Sequence, residues 1–116
     1  KGVRQMGMVD HVTLANAFMS SGVWAYFTDF EETCCTNSVK ARAAGAIPVC
    51  PPLAALAETA RCDAGIFVDP NDTTAFVEAC VRATEVDDTA RARMSEEAIE
   101  TYALDTMLPR WLEVLK

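Results

Sequence analysis

The chain has 116 residues, with 10 Lys+Arg against 17 Asp+Glu and a formal net charge of −7. Apolar residues make up 51%, with 5 Gly and 5 Pro, which describes one folded domain and excludes a disordered chain. No run approaches the ~20 unbroken apolar residues of a membrane helix, and the net charge opposes nucleic-acid binding while leaving room for a small local anion site.

Residues 3–8 (VRQMGM) are short and mixed and read as a brief strand broken at Gly7. Asp10 or Thr13 caps a following helix through Leu14, Ala15, Ala17, Phe18 and Met19, because a side-chain oxygen there satisfies free backbone N–H groups. Residues 20–22 (SSG) end it. The run 23–27 (VWAYF) is β-branched and aromatic without charge, the pattern of a strand buried on both faces. A polar stretch 28–36 carries Asp29, Glu31 and Glu32, and a helix 37–44 follows, closed by Gly45. Residues 46–50 (AIPVC) form a second buried strand, with Pro48, which lacks an N–H, near its start.

Pro51 and Pro52 break the chain before a short helix at 53–60. A third strand is expected at 65–69 (GIFVD), then a turn and cap at Pro70, Asn71 and Asp72. The helix 73–84 should put Phe76, Val77, Cys80 and Val81 on one face. Another helix covers 89–104, and Pro109 suits the first turn of a last one carrying Trp111, Leu112 and Leu115 as an apolar anchor. Alternating strands and helices predict an α/β fold with a parallel sheet and right-handed crossovers. Ligands then bind beyond the carboxyl ends of the strands, which feed residues 28–36, 51–54 and 70–72.

Five cysteines, at 34, 35, 50, 62 and 80, contain no CxxC, and the adjacent Cys34 and Cys35 suit neither a zinc knuckle nor a disulfide ladder. They read as free packing thiols of a reducing, cytoplasmic compartment, with no metal site. No signal or transit segment is visible, and the start at Lys1 reads as part of something longer. His11, the single histidine, suits a loop or helix-start role. Glu96, Glu97 and Glu100 read as a solvated helix surface with Arg91 and Arg93 as helical neighbours.

The 28–36 loop carries the chemistry. It delivers acidic residues and then Thr33, Cys34, Cys35 and Thr36 directly into a helix. Free N–H groups and the helix dipole favour an anion such as a diphosphate there, and an upstream carboxylate can hold sugar hydroxyls. The alternative is that Thr36 or Asn37 only caps the helix and the acids face water.

The segment 26–49 (YFTDFEETCCTNSVKARAAGAIPV) resembles the donor-binding segment of retaining GT-B glycosyltransferases (glycosyl transferases group 1 type), which often reads PS…E-[TG]-x-G…EAxAxGxPVV. Glu58, the strand from Gly65, the Pro70 turn and the helix around residues 93–95 follow at similar spacing, so the likeness spans nearly the whole chain. The resemblance implies a hexosyltransferase that takes an activated, nucleoside-diphosphate sugar and passes it to a glycan, lipid or small acceptor in carbohydrate biosynthesis, with no separate cofactor. It matches Glu32 to the sugar-contacting catalytic carboxylate, and Thr33, Cys34, Cys35 and Thr36 to the turn whose amides approach the diphosphate. The ribose-gripping glutamate falls on Lys40, which cannot accept hydrogen bonds from hydroxyls: the nucleotide is held differently, the donor is another activated sugar, or binding is lost. Cys35 stands where glycine is common.

The family's upstream Arg and Lys, which neutralise the leaving diphosphate, have no counterpart in the chain. The implied fold is an incomplete GT-B C-terminal domain: a three-layer, Rossmann-like parallel sheet of about four strands, with residues 1–116 one truncated, donor-binding domain. Its partners would be the nucleotide sugar and an acceptor-binding N-terminal domain, without nucleic acid or a transmembrane segment. Such a chain alone is not expected to catalyse. Two other readings stand beside this one: a non-catalytic GT-B-like binding or scaffold module, and an unrelated α/β anion-binding domain.

Overall fold

Asp10 fixes the first regular element. Its carboxylate accepts from Thr13 N at 2.7 Å and caps α1 (His11–Ser20). The preceding residues 2–10 carry no strand in the computed structural model, which describes residues 2–116. The brief strand expected at 3–8 is therefore absent: Val3, Met6 and Met8 lie exposed, with no buried face to hold an extended segment.

Three parallel strands follow: β1 (Val23–Ala25), β2 (Ile47–Cys50) and β3 (Ile66–Phe67), in the order β1-β2-β3. Val23 pairs with Ile47 and Ala25 with Val49, while Val49 pairs with Ile66 and Cys50 with Phe67. The sheet has three strands where about four were expected, and β1 is an edge. Helix α2 (Thr36–Ala43) links β1 to β2, and α3 (Leu56–Thr59) links β2 to β3. Helices α4 (Thr73–Thr84), α5 (Asp88–Tyr102) and α6 (Leu104–Val114) complete the chain. The result is a small, open parallel sheet flanked by helices.

All of β2 is buried, and its alternation divides the core. Ile47 and Val49 join Val68, with Ala79 and Ala83 of α4 and Met94 of α5, on one side. Cys50 joins Cys35, Leu56 and Ala60 on the other, beside a cluster of Phe18, Ala41 and Ala46. The apolar face expected of α4 is shifted. Close packing on the sheet selects Ala79 and Ala83, with Phe76 and Cys80 partly covered, and leaves Val77 56% and Val81 59% exposed.

Pro48 sits second in a central strand, a position normally closed to proline. Ile47 N donates to Gly22 O on the β1 side, so the next nitrogen faces the β3 side. There β3 begins only at the level of Val49, and no ladder bond is lost. Gly65 allows this approach: a Cβ on it would meet Pro48 Cγ at 3.1 Å and Ala60 O at 3.1 Å. Gly45 ends α2 with φ +85°, while its N–H bonds Arg42 O and that of Ala46 bonds Ala41 O, a paired closure that favours a residue without Cβ.

Helices α4 and α5 start at Asp72 and Asp87, whose carboxylates accept from Ala75 N at 2.9 Å and Ala90 N at 2.8 Å. Pro109 lies inside α6, not in its first turn, because that helix starts at Leu104. No residue of α6 is buried, and Trp111, Leu112 and Leu115 are mostly exposed, so the apolar anchor expected of them is not closed among the described residues. Arg91 departs from the expected solvated pairing. It donates from Nη1 to Gly22 O and Gly45 O, from Nε to Val86 O and from Nη2 to Ala83 O, tying the residues that lead into β1 and β2 to the α4–α5 junction. No helix is long and apolar enough to cross a membrane among the described residues.

Candidate functional site

The carboxyl ends of the three parallel strands point the same way, so residues 26–36, 51–55 and 68–72 gather at one end of the sheet. The first of these leaves β1 with Tyr26, whose N–H still pairs with Val49 O at 2.9 Å. Its hydroxyl donates to Glu32 Oε1 at 2.8 Å. Glu32 is half-buried, and its backbone carbonyl accepts from Ala55 N at 3.0 Å. The matched carboxylate is thus held at both its side chain and its main chain. The hydrogen bond to Glu32 pushes the Tyr26 hydroxyl above its ordinary 10.0, because it favours the protonated phenol.

Ala54, in the loop that supplies Ala55, has φ 44°, a left-handed conformation uncommon outside glycine. The rest of that loop, Pro51 and Pro52, rises from the buried end of β2. Backbone strain at this place is held by the packing of Leu56 and by the Ala55–Glu32 bond.

Thr33, Cys34 and Thr36 are exposed, whereas Cys35 is buried against Cys50, Leu56 and Ala60. Cys35 is also the N-cap of α2, and no side chain caps that helix; neither Thr36 nor Asn37 takes the role expected of a cap. The first N–H groups of α2 therefore lack a side-chain acceptor, the condition under which a helix start accepts an anion. Ser38 Oγ lies 2.7 Å from Cys35 O and 2.8 Å from Thr59 Oγ1, fixing the helix start to α3. Cys35 serves packing, and its carbonyl accepts from Ser38 N at 3.2 Å as well as from Ser38 Oγ.

Lys40 is exposed on the side of α2 that meets α1, where it lines a groove of about 660 Å³ with Leu14, Phe18 and Met19. The structure gathers Glu32 against Ala55 and Cys35 against Leu56 and Ala60, and sets Lys40 apart, against α1. The candidate turn presents an open surface.

All five cysteines are free, and burial pushes the Cys50 thiol up to about 12. Among the described residues no group of three or more His, Cys, Asp or Glu is placed to hold a metal ion. His11 occupies the first position of α1, as a helix-start residue. The Tyr26–Glu32 bond and the Ala55–Glu32 bond escaped the sequence, since only the fold brings β1, its loop and the start of α3 together. Comparison with family models, with curated proteins and with solved structures gives no match for this chain.

Proposed function

We propose that this chain is the donor-binding part of a retaining GT-B-type glycosyltransferase, with the open start of α2 receiving the diphosphate of an activated sugar. The observation that supports it is the coincidence of three features at one strand end: a parallel β1–α2 crossover, a helix start without a side-chain cap, and a carboxylate, Glu32, held beside it. In this reading the N–H groups following Cys34 stabilise the departing diphosphate, and Glu32 orients the sugar. Tyr26 holds that carboxylate in one orientation. The second wall of the cleft is the acceptor-binding domain expected as a partner.

Lys40 favours a second reading, a GT-B-like binding module that has lost the complete donor site. Its ammonium stands where the resemblance requires a ribose-gripping acceptor, and it faces α1. Titration of the isotope-labelled chain with UDP-glucose, and with UDP alone, separates the two. The donor reading expects saturable amide shifts at Thr33, Cys34 and Thr36 with both, and a weaker response to the sugar in Glu32→Ala. Unmoved amides throughout that turn would leave the binding-module reading in its place.

A further inference from the structure

A second concavity, about 570 Å³ in volume, lies at the opposite end of the sheet from the candidate donor turn. Arg42, in the last turn of α2, forms part of its wall, together with the residues that lead into β3 and the last turns of α5. The Arg42 side chain is 3% exposed. Its Nη1 donates to Thr59 O at 3.0 Å. Its Nη2 comes only to 4.0 Å from Glu97 Oε2, and its Nε has no partner among the described residues. The Tyr102 ring lies 6.0 Å from the guanidinium carbon.

A buried guanidinium with one good hydrogen bond is under-compensated. Nε, which is unpartnered, and Nη2, whose ion pair with Glu97 is long, together form the edge that grips a carboxylate through two parallel bonds. Arg61 lines the same cavity; its Nε bonds Ala57 O at 3.0 Å, and its terminal nitrogens have no hydrogen-bond or ion-pair partner among the described residues. Around these two cations stand three carboxylates, those of Glu58, Asp63 and Glu97. A phosphate dianion meets repulsion at such a rim. A molecule bearing both signs meets attraction at each end.

We propose that this cavity binds a small zwitterion of the amino-acid class. The carboxylate takes the Nε–Nη2 edge of Arg42, and the ammonium faces Glu97. The Nε atom lies beneath the wall, so entry requires a side chain of the wall to shift.

The test is a nitrogen-edited NMR titration of the full chain with glycine, acetate and inorganic phosphate as probes, read at the Arg42 Nε–H and at the amides of Thr59 and Cys62. Glycine should produce saturable shifts at about tenfold lower concentration than acetate or phosphate, because it alone adds an ammonium for the rim. Arg42→Lys keeps the charge, removes the paired edge and should abolish the response. If that variant does not fold, Glu97→Gln carries the test, since it should bring glycine down to the level of acetate. The proposal is overturned if no probe gives saturable shifts, if phosphate binds tightest, or if Glu97→Gln leaves the preference for glycine intact.

Discussion

The bond from Tyr26 to Glu32 offers a direct measure of how firmly the candidate carboxylate is held. The phenol donates at 2.8 Å, an ordinary distance for two oxygens. A hydrogen bond to a charged group contributes ~1.5–3 kcal/mol when desolvated, and the half-exposed setting brings the expected coupling to about 1 kcal/mol. The perturbation is a double-mutant cycle of Tyr26→Phe, Glu32→Ala and the pair, followed by urea unfolding at pH 7. Each single variant should lose about 1 kcal/mol, and the double variant little more than either, because both remove the same bond. The pH dependence has a definite sign. The folded chain holds the Tyr26 proton more tightly than the unfolded one, since its ionisation is raised above 10.0. The bond's contribution is therefore complete below that value and is lost as pH climbs through the raised one. Additivity within ~0.3 kcal/mol at pH 7 would refute the argument, for it would mean that Glu32 is not fixed by Tyr26.

Other expectations follow from the packing. Leu56, at 0% exposure, closes the cluster behind the strained Ala54; Leu56→Ala should cost about 2–5 kcal/mol in urea unfolding, and a loss below ~1 kcal/mol would contradict its place in the core. In the native chain a thiol reagent should label exposed Cys34 first and Cys50 last, the latter being buried with its thiol raised to about 12; mass spectrometry of labelled peptides that found Cys50 modified first would reject this packing. Arg91→Met removes donors to four carbonyls and should cost about 2–3 kcal/mol, whereas exposed Arg93→Met should stay within ~0.5 kcal/mol of the parent in the same unfolding assay.

Local chemistry alone determined much of this protein. The apolar run without charge at 46–50 announced a buried strand, and Asp10 and Asp72 announced helix starts, because capping and two-sided burial are written in adjacent residues. The run 23–27 gave a strand as well, but an edge one, half-buried with Ala25 exposed, because among the described residues no strand covers its other side. Gly45 marked a helix closure in the same local way, whereas the close approach of Pro48 to Gly65 showed only in the fold. Strand length was not legible. The run 23–27 gives a strand of three residues, since β2 offers partners only from Ile47 to Cys50. Residues 3–8 failed as a strand because pairing, not composition, makes one.

The tertiary structure decided the roles of the charged residues. Arg91 looked like a helix-surface cation, and it is instead consumed by carbonyls, two of them from elements far along the chain. The sequence placed Glu32, Thr33, Cys34, Cys35 and Thr36 in one loop. Only the fold sent Cys35 into the core, left Thr33 and Thr36 outside, and laid the Tyr26 hydroxyl against Glu32. Sequence spacing records which side chains are neighbours along the backbone; which of them meet depends on crossovers that bring distant segments within hydrogen-bond reach.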